Sequence, residues 1–403
     1  MARRWSRTET FLAVGVLGIA AVLLAVAGLW VYMSATAAPL HSEPTGISAV
    51  HDATPKPAWA DAVERARQIA RSEVAERNLP GLSIAVAAGG EIIWSEGFGW
   101  ADIEARRPVT PRTRFRIGNA STILTSAAAG LLIEKGRLKL DDVIQTHVPE
   151  FPRKPWPVTL RHLMAHTAGL ASDGGDEGPL FTQKCDRPVE AFQYFADRDL
   201  RFEPGTDHRF GNYGWIVVSA AIEAAAGEPF LTFMQRHIFG PLRMDDTLPD
   251  SLTQPIENLA TPYFPKFAGD PRYGPDLMRP LEYSCYAGSS VFVSTPSDLL
   301  RFVLAINKGV LLRPPTVALL QSPQRLASGQ DTGYGLGWDL ETVSIAGRQT
   351  AAIGHHGESL GGVVSSVITL PEHDLSLALI SNISYSGTQA IAVKIAEAFV
   401  APK

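Results

Sequence analysis

Two cysteines in 403 residues, only 19% charged side chains and no basic run beyond the first few positions set the outer limits. So few cysteines exclude a disulfide-dense scaffold, and Cys185 and Cys285 are too far apart in sequence to form a zinc pattern. A net charge of −5, with lysine and arginine scattered through the chain, excludes a nucleic-acid-binding surface. No internal repeat is present, which excludes a solenoid. The acidic segment Asp173-Gly174-Gly175-Asp176-Glu177 lacks the Asp-x-Asp-x-Asp-Gly spacing of a calcium loop and reads as a solvated turn, so no metal and no cofactor is expected. What remains is an ordinary globular balance with 45% hydrophobic residues, enough for a large core, read as one compound domain.

The N-terminus departs from that balance. Phe11 to Met33 is an uncharged, mostly apolar stretch of bilayer-spanning length. Arg3, Arg4 and Arg7 precede it, and no lysine or arginine follows until Lys56. That asymmetry leaves residues 1–10 in the cytoplasm and carries the rest outside. Ala35-Thr36-Ala37 also offers a signal-peptidase site, so an uncleaved anchor and a cleaved signal both fit; the length favours the anchor, since signal h-regions run about 7–15 residues. Both readings export the domain to the periplasm or cell exterior. There the two cysteines are either bridged or buried as thiols, and their separation in space decides.

Residues 34–57, rich in Ala, Ser, Thr and Pro, read as a tether, and 58–403 as the folded domain. The spacing of Trp59, Ala62, Val63, Ala66, Ile69, Ala70 and Val74 predicts a helix stopped by Pro80-Gly81. Strands are expected at Leu82–Ala88 and Glu91–Phe98, joined by Gly89-Gly90 as a hairpin. A helix follows from about Asn119 to Lys135. The middle of the chain is helical and rich in loops, with its clearest helices at Thr159–His166, Trp215–Ala225 and Pro296–Lys308. Strands return at Trp338–Ile345, Val363–Leu370 and Leu375–Asn382, before a last helix at about Thr388–Val400. Strands at both ends and helices between predict an α+β fold, with one antiparallel sheet built from both ends and a helical region inserted.

A series of short motifs is more specific. Phe115-Arg116-Ile117-Gly118-Asn119-Ala120-Ser121-Thr122 resembles the start of the nucleophile helix in class C serine β-lactamases and their penicillin-binding-protein, esterase and D,D-peptidase relatives. Leu131 to Asp142, Leu163 to Leu170, Glu203-Pro204-Gly205-Thr206, Ser294 to Leu299, Tyr334-Gly335-Leu336-Gly337-Trp338 and Gly354-His355-His356-Gly357 follow in that family's order. Val148-Pro149-Glu150-Phe151-Pro152 resembles the mitochondrial β-lactamase-like proteins of animals. The resemblance implies a β-lactamase/transpeptidase-like fold and acyl transfer. In that chemistry a Ser-x-x-Lys pair shares one helix face, a Tyr-x-Asn motif adds a phenol and an amide, and a Lys/His-Thr/Ser-Gly strand lines the other wall.

Carried over position by position, the resemblance places Asn119 where the nucleophile belongs, Thr122 where the lysine belongs and Phe210 where the phenol belongs. No serine in the chain is followed by lysine three positions later. Asn212, His355 and Gly357 keep the family pattern, and His356 replaces a small hydroxyl residue. Two function classes follow. One is a pseudoenzyme that binds or scaffolds without hydrolysis, its implied ligand an acyl-amide such as a peptidoglycan stem peptide, held through Asn212, His355, His356, Gly357 and backbone donors. The other is a hydrolase with rearranged chemistry, Ser121 or Thr122 attacking with His355 or His356 as base; the distances from hydroxyls to histidines discriminate the two. His355 and His356 are neighbours on a strand and should face opposite ways. His166 reads as a structural support residue, Tyr334 and Trp338 as core or cleft-wall aromatics. Any protein partner and the oligomeric state stay open.

Overall fold

The computed structural model describes residues 7–52, 55–171, 178–359 and 361–400; the acidic segment at 173–177 lies outside them. The main sheet runs in the order β1 (Ala49–His51), β3 (Glu91–Asp102), β2 (Gly81–Ala88), β7 (Leu375–Ser381), β6 (Val363–Leu370), β5 (Arg348–Ser359), β4 (Asp339–Ile345). Every pairing along it is antiparallel. The first and last parts of the domain meet where β2 pairs β7, with Leu377 opposite Val86. That is the sheet the sequence predicts from both ends.

The central strands are covered on both faces, which is why they read as continuous apolar runs rather than alternating ones. Leu82, Ile84 and Val86 face one core, where α2 (Ala60–Glu76) and the C-terminal helix α6 (Thr388–Phe399) pack. Ala85 and Ala87 face the other, larger core, which holds the inserted helical region. There α3 (Ser121–Glu134) and α4 (Tyr213–Ala226) pack against one another. A fifth helix, α5 (Pro296–Asn307), is capped by the Thr295 side chain, which accepts the backbone N–H of Asp298.

The tether expectation is corrected in part. Ala49–His51 pairs with the outer edge of β3, Ile47 is buried, and the Leu40 N–H donates to Asn78 Oδ1 at 2.6 Å. Three residues are too few to show a strand period, whereas the twelve-residue β3 offers a long unpaired edge that takes them up. The body therefore begins well before residue 58. The long helix Arg7–Thr36, here α1, contains an apolar span at Val14–Thr36 that is not buried by the rest of the protein. Cys185 and Cys285 are bridged, with Cα atoms 4.8 Å apart, tying the segment after Thr182 to the turn that leads into the strand Phe292–Ser294.

Candidate active-site cleft

Gly118 turns the chain in the left-handed region, with φ 51°, between the short strand Phe115–Arg116 and the start of α3. A single helical turn, Gly118–Ala120, then runs into the helix and sets Asn119 at its mouth. Strand β5 crosses directly in front. A Cβ on Gly357 would lie 2.4 Å from the Ile117 carbonyl and 3.0 Å from the Ala120 nitrogen, so only glycine permits this approach. Ser365 on β6 secures the same corner, its Oγ donating to the Ile117 carbonyl at 2.8 Å.

Asn119 is 9% exposed. Its Oδ1 accepts the Ser290 hydroxyl at 2.7 Å, and next to it the Ser289 hydroxyl donates to Asn212 Oδ1 at 2.6 Å. Two amides, one from the mouth of α3 and one from the residue before α4, are thus each gripped at the oxygen by the turn that leads into Phe292–Ser294. The grip fixes Asn119's orientation through its oxygen. Sequence reasoning missed Ser289 and Ser290; two adjacent hydroxyls beside a buried strand were the available signal.

Thr122 is buried at 1% exposure. Ser121 is fully buried, and its hydroxyl makes no hydrogen bond. Neither is bonded to a histidine. Phe210 is half exposed and covers the two histidines of the cleft, its ring 4.4 Å from His166 and 6.2 Å from His355 between centroids. Tyr213, beside the second motif, turns away and stacks on Phe195.

Behind Phe210 lies a buried line of hydrogen bonds whose directions follow from the groups at its ends. His355 Nδ1 lies 2.8 Å from the His356 carbonyl, which only accepts, so Nδ1 carries the proton. His355 Nε2 must then accept, and its partner at 3.1 Å is the Tyr334 hydroxyl. The Tyr334 oxygen in turn faces His166 Nε2 at 3.3 Å, and His166 Nδ1 receives the Gly211 N–H at 3.3 Å. This ordering puts the second imidazole proton on Nε2 and excludes donation there from the Trp215 indole, 3.4 Å away. Burial holds His355 below the ordinary histidine range, Asp339 opposing. Burial lowers His166 further, helped by the neighbouring His208 and His355, and lifts the Tyr334 phenol well above its usual value. The line is neutral near pH 7, and the lone pair of each imidazole is occupied.

His356 does not belong to this cleft, which corrects its expected place among the binding residues. Alternation along β5 turns it to the opposite face, where Nδ1 meets Ser366 Oγ at 3.0 Å and Nε2 meets Glu341 Oε2 at 3.3 Å. The bond to His356 holds the Glu341 carboxyl below its usual range. Asp339, Glu341 and His356 have donor atoms within 4.8 Å of one another and form, among the described residues, the set with metal-ligand chemistry. Each already has a protein partner: Glu341 accepts from Gln389, and Asp339 accepts the His356 N–H at 2.9 Å. Ion pairing and hydrogen bonding account for the cluster.

A two-ended antiparallel sheet with an inserted helical region, and a cleft between a helix mouth and a glycine-bearing strand, define the β-lactamase/penicillin-binding-protein class. The chain belongs to the Beta-lactamase family, whose model matches residues 66–401. It is similar to a penicillin-binding protein of Bacillus subtilis (strain 168), 28% identical over 74% of this chain and 67% of that protein. It is also similar to the mitochondrial serine beta-lactamase-like protein LACTB of Homo sapiens, 24% identical over 85% of this chain and 80% of that one. Among solved structures, a D-amino acid amidase from Ochrobactrum anthropi SV3 superposes with TM-score 0.70 at 23% identity, covering 84% of this chain and 98% of the other. The octameric penicillin-binding protein homologue from Pyrococcus abyssi gives 0.68 at 23%, covering 82% and 76%. These likenesses show the fold; the chemistry has to be argued from the cleft.

Proposed function

We propose that the chain is a membrane-anchored, extracytoplasmic β-lactamase-related domain that binds an acyl-amide ligand without hydrolysing it. The observation that carries this reading is the 2.7 Å bond from Ser290 to Asn119 Oδ1 at the helix mouth. A carboxamide is a poor nucleophile, and the oxygen of this one is taken up by Ser290, so that its N–H groups are what it offers a ligand. It donates to a carbonyl or carboxylate where a serine would attack it. The surroundings support the same conclusion. General-base catalysis needs a free lone pair within reach of the proton to be removed. His355 and His166 both spend theirs inside the buried line, while Ser121 and Thr122 are bonded to neither. A peptidoglycan stem peptide, with its amides and terminal carboxylate, matches the donors and the compartment. The uncharged span, its upstream arginines and the bridged cysteines support the anchored, exported state.

Intact-mass measurement of the full chain after incubation with a fluorescent penicillin and a fluorophosphonate tests the reading. No adduct is expected from the native protein, and labelling is expected in an Asn119→Ser/Thr122→Lys/Phe210→Tyr variant. A stoichiometric adduct on the native chain overturns the non-hydrolytic reading, and peptide mapping would then name the nucleophile.

A further inference from the structure

The end of the apolar span is joined to the body by almost no free chain. The helix closes at Thr36, with the Ala37 N–H still bonded to the Met33 carbonyl. Asn78 then clamps the next residues, donating from Nδ2 to the Ala38 carbonyl and accepting the Leu40 N–H at Oδ1. One residue further on, the His41 ring donates from Nε2 to the Leu79 carbonyl at 3.0 Å. Four residues from Thr36 to Leu40 reach at most about 14 Å when fully extended. A body clamped on so short a lead cannot stand away from the bilayer.

The face beside the exit point differs from an ordinary polar surface. Inside the apolar span, the Tyr32 ring meets Phe267 edge-on at 6.1 Å between centroids. Phe267 contacts Tyr273 in the same way at 6.5 Å. Both rings are only half-buried, and they sit on the loop joining the paired strands Tyr263–Pro265 and Pro275–Leu277. Leu277, on the second of these, is 71% exposed. Aromatic rings with an apolar body and a wet edge favour the headgroup level of a bilayer, and Tyr32 lies one turn from the end of its span, at that level. Next to the loop opens a recess of about 630 Å3 with Arg77, Arg272 and Lys394 on its walls. Each of these cations is paired, Arg77 and Lys394 with Glu73 and Arg272 with Asp270.

We propose that the loop between these two strands, with Phe267 and Tyr273 at its centre, is a second membrane contact, seated in the headgroup layer of the bilayer that Val14–Thr36 crosses. The occupant is that bilayer surface. Contact with Tyr32 sets the depth, the short lead fixes the distance, and the apolar rings with Leu277 hold the loop, to which the exposed Lys266 adds one cation at headgroup level. The inference rests on the anchored reading above.

Site-directed spin labelling of the full chain in phosphatidylcholine nanodiscs tests it. The native cysteines are bridged, so an introduced thiol is the single reactive one. Labels go at Ala268→Cys in the loop, Leu24→Cys inside the span and Ser328→Cys on an exposed loop elsewhere. The ratio of oxygen to nickel-chelate accessibility is expected to be highest at 24, several-fold lower at 328 and intermediate at 268. Equal ratios at 268 and 328, with 24 in lipid, overturn the proposal and leave the anchor standing. A water-exposed label at 24 removes the anchor and the proposal together. In a Phe267→Asp/Tyr273→Asp variant the ratio at 268 falls to that at 328, whereas a ratio unchanged from the native chain also overturns the proposal.

Discussion

Replacing Tyr334 by phenylalanine should destabilise the fold much more than the loss of one oxygen atom suggests. The hydroxyl sits between two imidazoles, donating to His355 Nε2 and accepting from His166 Nε2–H, with all three side chains buried. Phenylalanine fills nearly the same volume, so no cavity is made. What is lost is a partner for one buried acceptor and one buried donor, each worth about 1–3 kcal/mol when left unsatisfied. His166 can recover by moving its proton to Nδ1, which frees Nε2 for the Trp215 indole N–H, but the Gly211 N–H then faces a proton instead of a lone pair. One deficit replaces another, and the sum comes to about 2–4 kcal/mol. Urea unfolding should show the midpoint shifted at unchanged slope, which identifies a loss of native stability. A change below about 0.5 kcal/mol, the scatter of neutral surface substitutions, would refute both the bond directions and the neutrality of the line.

The same line makes stability depend on acid. Burial holds His166 and His355 below the ordinary histidine range in the fold, so that as pH drops below about 6.5 the unfolded chain takes up protons before the folded one does. Stability is therefore unaffected above that pH and falls as pH drops below it, by up to about 1.4 kcal/mol per pH unit for each histidine. Unfolding between pH 7 and 5 should show that slope, a His355→Gln variant should lose one histidine's share, and a flat native profile would contradict the account. Gly357→Ala should cost about 1–3 kcal/mol and weaken ligand binding, because its Cβ would drive β5 away from the Ile117 carbonyl; unchanged unfolding and binding would show that the strand has room. Opening the Cys185–Cys285 bridge in a Cys185→Ser/Cys285→Ser variant releases a loop of 100 residues and should lower stability by about 2–4 kcal/mol, read as a lower unfolding midpoint; equal midpoints would refute this.

The architecture was legible wherever burial was one-sided or complete over a long stretch. The face of α2 that carries Val63, Ala66, Ala70 and Val74 announces itself by period, and the runs at 82–88 and 375–381 by unbroken apolarity. Strand β5 was legible only at its His355-His356-Gly357 end. Its first half, Arg348 to Ile353, carries no β-branched alternation and is a strand because β4 pairs with it throughout, β6 joining only from Ile353 onward. The edge strand Ala49–His51 is too short to carry a period and forms because β3 offers a free edge. The hairpin around Phe267 was hidden among prolines and glycines that read as loop. At the cleft, the replaced positions Asn119, Thr122 and Phe210 could be named from their order in the chain. Their consequences could not, because the residues that grip Asn119 and Asn212, Ser290 and Ser289, come from a segment 171 residues beyond the first and 77 beyond the second.

Those two serines bear on what kind of site this is. A catalytic site that had merely lost its nucleophile would leave the new amide oxygen buried against apolar neighbours or against other acceptors, at the cost of an unsatisfied polar group. Here each amide oxygen is met by a hydroxyl from the same turn, at 2.7 Å for Asn119 and 2.6 Å for Asn212. The pairing also has a direction. A serine that donates to the Asn119 oxygen fixes which way that amide points, and on the proposed reading Asn119 acts as a donor. Ser290→Ala removes that hold, and Asn119 can then rotate and present its oxygen instead. If the cleft binds carbonyl or carboxylate groups through Asn119, this variant should lose about tenfold in affinity for a D-Ala-D-Ala-terminated peptide in calorimetry, the worth of one well-placed hydrogen bond at about 1.4 kcal/mol, while the unfolding midpoint moves little. If affinity holds in Ser290→Ala and falls only in Asn119→Ala, the serine fills space, and the orientation of the amide comes from the helix mouth alone.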